Sequence, residues 1–502
     1  MIHDLSDLAR GFDVECDAVV VGSGAGGAMA AANLARAGMR TVILEAGPRV
    51  RAEDMVRDVP LFMARHFWDG GLRMIGGTTT APSLQGRCLG GSTVVNSAIM
   101  MKLPDWVRAA WAAESGLDLF TGPALEAAYQ RIFNRLQVAP TPMSVMGRRN
   151  LVVKEALDGV GIPGAPLPRA VTGCLGCADC LLGCADGKKQ SVDRALLPAA
   201  LADGAAVYTC AVAERILIEG GRAVGVTGTV VDPHGLRERA RFTVRASRVV
   251  LAAGTMQTPV LLQDSGITAG GTVGGSLFTH IGVGLVGIMD EIIDPWIGAT
   301  QGWGAVSPDV RGLKFEGLWA PPAAIMIRWG DVGRRLLEQL GEVKHATVVA
   351  IVYRSQMRGR VRSRGRGRPS MKIWIPDDEA RVVMRAMKTA ADALLGVGAR
   401  YVHTGMPGVK DELRTTADTE GLLDPRLRAR HLQMTMNHIF GSCPMSARAD
   451  RGPVDEAGRV RGVGNLYVCD ASLFPSASAV NPQATVMALA DVISRGVGEL
   501  AA

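Results

Sequence analysis

The chain has 502 residues, of which 48% are hydrophobic and 21% are charged. It is too long for a single small core, so we expect two or three packed units. Its formal net charge of +7 is small for this length and its aromatic fraction is only 5%, which argues against a nucleic-acid-binding protein. The 62 glycines cluster in short motifs, a pattern that favours close approach of the backbone to a ligand.

The start of the chain carries no targeting signal. Residues 1–7 are acidic and lack an apolar run and a small-residue cleavage site, so no signal peptide is predicted. No stretch contains the roughly 18 apolar residues that span a bilayer. We expect a cytoplasmic protein with at most peripheral membrane contact. In that compartment the nine cysteines are better interpreted as metal ligands, catalytic groups or buried thiols than as disulfides.

The first predicted elements form a strand–helix–strand unit. A continuous apolar run ends at Gly22, an alanine-rich helix follows, and a second apolar run ends at Glu45. In this context Gly22 permits a tight turn, Gly24 lets the backbone meet a pyrophosphate, and Gly27 lets helix and strand pack closely. Glu45 can accept a hydrogen bond from a ribose hydroxyl. The pattern therefore predicts a dinucleotide-binding fingerprint.

Later segments supply further pieces of the same fold. Residues 248–254 and 465–470 are short buried strands, and residues 484–497 form a closing helix. We predict an α/β fold (α+β overall) in which a Rossmann-like domain is assembled from discontinuous segments beside a sheet-and-helix substrate-binding domain. The predicted nucleotide-binding segments are 13–105, 171–288 and 433–502, and the substrate-binding or cap segments are 106–170 and 289–432.

An arginine-rich stretch covers residues 358–369. Its glycines and Pro369 are turn formers, and the strand-like run 371–375 follows. A solvated hairpin is the favoured interpretation, and a patch for nucleic acid or anionic lipid is the alternative. Because the charges lack interleaved aromatic residues that could stack on bases, we expect no nucleic-acid partner.

Four segments carry a family resemblance. They are 86–96, 254–266, 437–445, and 460–475 followed by Asn481-Pro482. In this order they resemble the signatures of the glucose–methanol–choline (GMC) oxidoreductases, from near residue 13 to the end of the chain. The Asn481-Pro482 ending is similar to the cholesterol-oxidase-like branch. The resemblance implies FAD as the cofactor, and Val95, where some relatives carry a tethering histidine, implies that FAD is bound non-covalently.

The resemblance also implies the site residues. His438 is the expected base for the alcohol proton and Asn481 the expected hydrogen-bonding partner of the same oxygen, roles that imidazole and amide groups suit. His280 and His403 are expected to be satisfied core residues. The expected FAD-binding residues are Gly22, Gly24, Gly27, Glu45, Gly91, Ser92, Asn96, Val212, Asp470, Ala471 and Pro482.

A cysteine cluster insert lies at residues 174–184. Cys174, Cys177, Cys180 and Cys184 have the spacing of an iron–sulfur ferredoxin run. Cys174, Cys180 and Cys184 also resemble in spacing the cluster cysteines of bacterial FAD glucose dehydrogenase catalytic subunits. We therefore predict a [4Fe-4S] or [3Fe-4S] cluster, with Cys210 or another group able to complete its ligand set. A zinc site and reduced, buried cysteines are the alternatives.

Together these features predict FAD-dependent oxidation of an alcohol, with electrons relayed through the cluster to a redox protein or quinone. The alternatives are a GMC oxidase that passes electrons to oxygen, a flavoprotein with non-oxidative chemistry, and a non-catalytic redox or binding module. Few aromatic residues and abundant Met and Ala favour an apolar alcohol as the substrate.

Overall fold

The structure, a computed structural model, describes residues 1–233, 237–322 and 332–499. Its first sheet has eight strands, with the parallel βαβ unit at its centre. Leu466–Val468 joins it by pairing with Glu238–Leu251. The other strands, from edge to edge, are Ile2–His3, Ala206–Tyr208, Thr41–Leu44, Phe12–Val21, Glu238–Leu251, Arg222–Val231 and Ala211–Glu219.

Helices cover the first sheet and share its core. Ala25–Arg36 packs beside the C-terminal helix Gln483–Glu499, where Asn33 Nδ2 donates to Asp491 Oδ1 at 2.9 Å. Helices Asp105–Ser115 and Pro123–Arg135 contribute Trp111 and Tyr129 to the same core. This packing places residues 105–135 beside the nucleotide-binding sheet, although the predicted division assigns most of them to the substrate-binding part. The division itself stays a prediction.

The second sheet has nine strands and is largely antiparallel. Its long strand Phe278–Met289 pairs with Ala346–Arg354, and helix Asp377–Gly396 packs on it through residues such as Met387 and Leu394. Its strands are Gly164–Pro166, Phe278–Met289, Trp303–Val306, Leu313–Gly317, Ala346–Arg354, Ala399–His403, Glu412–Leu413, Met434–Thr435 and Ile439–Phe440.

A third sheet contains the predicted arginine-rich hairpin, which is confirmed. Strands Arg358–Ser363 and Pro369–Trp374 pair antiparallel, and Arg73–Gly77 and Ala81–Ser83 extend the sheet. A further two-stranded ladder joins Ala139–Pro140 to Pro168–Arg169. The remaining α-helices of the described residues are Val59–His66, Arg148–Gly159, Val192–Ala195, Leu197–Ala202, Gly254–Asp264, Gly333–Glu342 and Thr416–Thr419.

The observed architecture confirms the predicted fold class: a Rossmann-like α/β part built from discontinuous segments packs beside a sheet-and-helix part. None of the helices within the described ranges is long and apolar enough to cross a membrane.

Candidate active site

A cavity of about 480 Å³ lies between the first and second sheets. The carboxyl ends of the parallel strands open into it, as expected for a doubly wound sheet. Every predicted FAD-binding and catalytic residue except Gly27 lines it, so segments far apart in sequence meet at one place. These residues are Gly22, Gly24, Glu45, Gly91, Ser92, Asn96, Val212, His438, Asp470, Ala471, Asn481 and Pro482.

The glycine loop fits a phosphate group. Gly22 has φ +101°, and a Cβ there would lie 2.3 Å from the Ala252 carbonyl oxygen. A Cβ on Gly24, by contrast, would meet no protein atom within 4 Å, because Gly24 borders the cavity. Gly24 is also the N-cap of helix Ala25–Arg36, and neither a capping side chain nor an acidic residue occupies that helix end. Its free N–H groups and positive dipole suit a pyrophosphate.

Glu45 and Ser23 connect the glycine loop to the second strand. Glu45 Oε2 accepts from the Ser23 hydroxyl at 2.6 Å and from the Ser23 N–H at 3.1 Å, and Oε1 accepts from the Gly47 N–H at 2.8 Å. Burial raises the pKa of the Glu45 carboxyl despite these donors. The Ser23 hydroxyl in turn accepts from the Gly90 N–H at 2.9 Å, so the loop that carries Gly91 is fixed against the fingerprint.

Asp470 connects two further segments that line the cavity. Its carboxylate accepts from the Gly254 N–H at 2.9 Å, from the Thr258 hydroxyl at 2.5 Å and from the Ser472 N–H at 2.8 Å. The start of helix Gly254–Asp264 is thereby joined to the segment after the last strand of the first sheet. Asn96 is similarly fixed, because its Nδ2 donates to Gln483 Oε1 at 2.8 Å.

The contrast between Gly24 and Gly27 gives a test of the cofactor cradle. We expect Gly24→Val to fold normally but to lose FAD, because its side chain enters the cavity without striking the protein. Gly27→Val should unfold the protein, because its Cβ would lie 1.9 Å from the Gly22 carbonyl oxygen. Flavin absorbance after gel filtration and far-UV circular dichroism measure the two effects. A Gly24→Val protein that retains FAD would contradict this placement.

The catalytic candidate His438 contacts a second histidine. His280, on strand Phe278–Met289, places its Nδ1 at 3.1 Å from His438 Nδ1, and its Nε2 contacts the Ser478 carbonyl oxygen. A carbonyl only accepts, so His280 Nε2 carries the proton and its Nδ1 accepts from His438 Nδ1–H. His438 Nε2 is then the unprotonated nitrogen, which is the state a base requires.

Both imidazoles are neutral near neutral pH. Burial, with a smaller contribution from the Lys314 charge, lowers the pKa of His438 to about 4, and Glu316 partly opposes this. Burial and the neighbouring His438 lower the pKa of His280 well below its usual range.

His403, the other histidine expected to be a core residue, is also buried, and its Nδ1 lies 2.9 Å from the Asp411 carbonyl oxygen.

A buried ion pair adjoins Asn481 and was not predicted. Lys314 Nζ donates to Glu316 Oε1 at 2.7 Å and to Asn481 Oδ1 at 2.6 Å, and Gln301 Nε2 donates to Glu316 Oε2 at 2.8 Å. The Lys314 and Glu316 side chains are only 5% and 2% exposed. An ammonium only donates, so this contact fixes which end of the Asn481 amide is the oxygen. Asn481 Nδ2 has no acceptor among the described residues and remains available to a ligand.

The predicted metal site is not supported. No group of three or more His, Cys, Asp or Glu side chains in the described part of the chain is placed to hold a metal ion. Cys180 Sγ instead lies 3.1 Å from the Arg169 guanidinium, and Cys184 Sγ accepts from the Lys189 N–H at 3.4 Å. Burial raises the pKa of Cys180, but Arg169 and Lys189 lower it by more, so its pKa lies below the usual range. The side-chain arrangement of the described residues therefore gives the predicted iron–sulfur cluster no support.

Comparison with known proteins identifies the family. A model described as GMC oxidoreductase matches residues 17–282, and a second model with the same description matches residues 355–490. The chain belongs to the GMC oxidoreductase family. A GMC-type oxidoreductase of Mycobacterium tuberculosis is 34% identical, with 94% of this chain and 74% of that protein covered. The family confirms the predicted resemblance and supports FAD as the cofactor.

More distant relatives have names that state activities. A long-chain-alcohol oxidase of Arabidopsis thaliana is 26% identical over 97% of this chain and 67% of that protein. The solved structure of pyridoxine 4-oxidase from Mesorbium loti matches with a TM-score of 0.71 at 18% identity, covering 96% of this chain and 99% of that one. This likeness shows that the GMC oxidoreductase shares the fold of that enzyme.

Proposed function

We propose that this GMC oxidoreductase uses non-covalent FAD to oxidise the CH–OH group of an apolar alcohol to an aldehyde or ketone, with oxygen as the electron acceptor. The observation that carries the proposal is the convergence of His438, Asn481 and the glycine loop on one cavity. Bound FAD would supply the hydride acceptor. The residues of the chain supply binding, orientation and proton transfer.

His438 would remove the hydroxyl proton. Its Nε2 is unprotonated because its one ring proton lies on Nδ1, which donates a hydrogen bond to His280 Nδ1, and its low pKa keeps the ring neutral at physiological pH. Asn481 would donate its amide N–H to the substrate oxygen, where negative charge develops as the proton leaves. The proton goes to Nε2, and the carbon–hydrogen bond electrons leave as hydride.

An apolar substrate is supported by the cavity wall on the side of the second sheet. Four apolar side chains line the cavity there, on or beside three paired strands, two of which carry His280 and Glu316. They are Val283, Leu318, Ala350 and Val352. The names of the Arabidopsis relatives add long-chain alcohols as a specific class. We therefore propose a long-chain primary alcohol as the first substrate to test.

Oxygen is proposed as the acceptor because relatives named as oxidases include long-chain-alcohol oxidases and choline oxidase. The predicted relay through an iron–sulfur cluster is not part of the proposal, because the described residues contain no group of side chains placed to hold a metal ion.

The experiment supplies dodecanol to the purified holoenzyme. In the dark without oxygen, the alcohol should bleach the flavin, and under air it should yield one peroxide for each aldehyde formed. Flavin that the alcohol does not bleach would refute a long-chain primary alcohol as the substrate. Bleaching without peroxide under air would refute oxygen as the acceptor and would indicate a dehydrogenase instead.

The pH dependence follows from the neutral imidazole. We expect kcat/KM to stay level from neutral pH down to about pH 5 and to fall as the pH drops through about 4, because His438 then becomes protonated and loses its function as a base. A pH profile of initial rates, with circular dichroism at each pH to confirm folding, measures this. A loss centred near pH 6.5, the ordinary value for histidine, would contradict the buried neutral state.

A further inference from the structure

The third sheet has one buried face and one cationic face. Ile75, Val361, Met371 and Ile373 point into the core and are at most 6% exposed. The opposite side chains are exposed, and the strand register places them together, with Arg358 opposite Trp374 and Arg360 opposite Lys372. We call this surface the arginine face. It comprises Arg358, Arg360, Arg362, Lys372, Trp374, Met74 and Leu72, together with the turn residues Arg364, Arg366 and Arg368.

The charge of the protein is concentrated here. Residues 358–374 hold seven of the 55 Lys and Arg residues and none of the 48 Asp and Glu residues, so the rest of the chain carries 48 of each. The whole formal net charge of +7 therefore belongs to this hairpin. Among the ion pairs that the described residues form, none involves these seven side chains. Seven exposed cations without counterions are a strong attractor for an anionic surface.

Apolar side chains share the arginine face. Leu72 is 65% exposed, Trp374 is 46% exposed and Met74 is 44% exposed. The Arg360 guanidinium lies 5.4 Å from the centre of the Trp374 ring. Indole rings and long cationic side chains beside apolar groups suit the boundary between lipid headgroups and acyl chains. Single-stranded nucleic acid is usually bound in a groove with several stacking aromatic residues, and this surface is a sheet face with one indole.

The arginine face also adjoins the active-site cavity. Gly367, in the turn of the hairpin, lines the cavity, and its carbonyl oxygen accepts from Gln257 Nε2 at 3.2 Å. The turn is held in place by Asp264, which accepts from the Ser363 hydroxyl and from the Gly367 N–H. An enzyme docked through this face would hold its cavity close to the bilayer, where an apolar alcohol partitions. This last step rests on the proposed function.

We propose that the arginine face docks the enzyme reversibly on membranes rich in anionic phospholipid. Electrostatic attraction of the seven cations brings the protein to the surface, and Trp374, Met74 and Leu72 enter the headgroup region. Attraction of this kind weakens as salt screens it.

The experiment is co-sedimentation of the holoenzyme with vesicles. We expect binding to phosphatidylglycerol–phosphatidylcholine vesicles at low ionic strength, little binding to phosphatidylcholine alone, and release at about 1 M salt. Arg360→Glu/Arg364→Glu should lower partitioning about thirtyfold or more. The matched control, Arg10→Glu/Arg36→Glu, changes the net charge equally at exposed positions outside the arginine face and should retain most of the binding.

Several outcomes would overturn the proposal. They are wild-type protein that does not bind the anionic vesicles, equal losses in the two double variants, and tighter binding to duplex DNA than to the vesicles at the same salt. Unchanged flavin content and thermal unfolding of each variant show that it is folded. No alcohol is added, so the result is independent of the proposed substrate and acceptor.

Discussion

Replacing His438 with glutamine should lower kcat/KM about a hundredfold to ten-thousandfold, the range expected for loss of a general base. Glutamine is close to histidine in size and has no titratable nitrogen, so the packing around the strand Phe278–Met289 is preserved as far as possible. What is removed is the unprotonated nitrogen that faces the cavity. Steady-state rates with dodecanol, the proposed test substrate, measure the loss.

The residual activity of His438→Gln has its own signature. Without an internal base, the proton must leave to solvent or hydroxide, so the remaining rate should rise with pH where the wild-type rate is level. His345→Gln is the matched control, because His345 lies at the surface and contacts the Glu291 carbonyl oxygen. A His438→Gln enzyme with full activity would exclude His438 as the base. Equal losses in both variants would indicate a general effect on folding.

The sequence predicted the strand–helix–strand unit well because the contacts that define it are local. Gly22, Gly24 and Glu45 lie within one strand–helix–strand unit. The conformational or chemical role expected of each can be inferred from a short sequence motif. The position of His438 was found through its surrounding motif. The structure adds that these segments, more than 390 residues apart in the chain, line one cavity.

His280 shows what the sequence could not supply. A lone histidine in an apolar strand is typical of a satisfied core residue, and His280 is indeed buried and hydrogen-bonded. Its contact with His438 joins residues 158 positions apart. Only the pairing of the strands reveals that the hydrogen bond of this core residue sets the tautomer of the catalytic candidate.

The cluster predicted from the cysteine spacing is not supported by the described residues. Spacing predicts a cluster only if the backbone turns the thiols toward one point, and this segment has left-handed conformations at Gly176, Ala178 and Gly183. Cys180 turns inward to Arg169, while residue 177 pairs with Gly298 of the other sheet-bearing part. Sequence spacing contains no information about such turns.

Lys314 and Glu316 were missed because they look like surface residues. The strand Leu313–Gly317 alternates apolar and charged side chains, a pattern typical of a strand with one solvated face. The structure buries both faces. The charged face of this strand points toward the cavity and Asn481. The alternation of apolar and charged residues therefore marks a polar face at the candidate active site. A buried Lys–Glu pair is costly unless its remaining hydrogen-bonding groups are satisfied, and Gln301 and Asn481 supply that.

Lys314→Met should lower kcat/KM about tenfold to a hundredfold, the effect of losing one hydrogen bond to a buried charged group. Lys314 acts as a positioning residue: it holds Asn481 Oδ1 so that the amide N–H faces the substrate oxygen. The loss should therefore fall mainly on kcat. Lys314→Gln, which keeps a donor for Asn481, should recover part of the rate.

The pH profile separates this role from simple destabilisation. Removing the Lys314 charge removes one of the two effects that lower the pKa of His438, so the acidic fall in kcat/KM should move to higher pH. The shift should be smaller in Lys314→Met/Glu316→Gln, because Glu316 raises the same pKa and is neutralised there. A profile that keeps its midpoint would show that the charge does not act on the base.

A double-mutant cycle with Asn481 decides whether the two residues act as one unit. If Lys314 works through the amide, Lys314→Met should cost little in an enzyme that already carries Asn481→Ala, because the group it positions is gone. If the two losses multiply, Lys314 acts on the reaction by another route. The first result would make the buried ion pair part of the catalytic arrangement, since it fixes an amide oxygen that would otherwise be free to exchange places with the N–H donor.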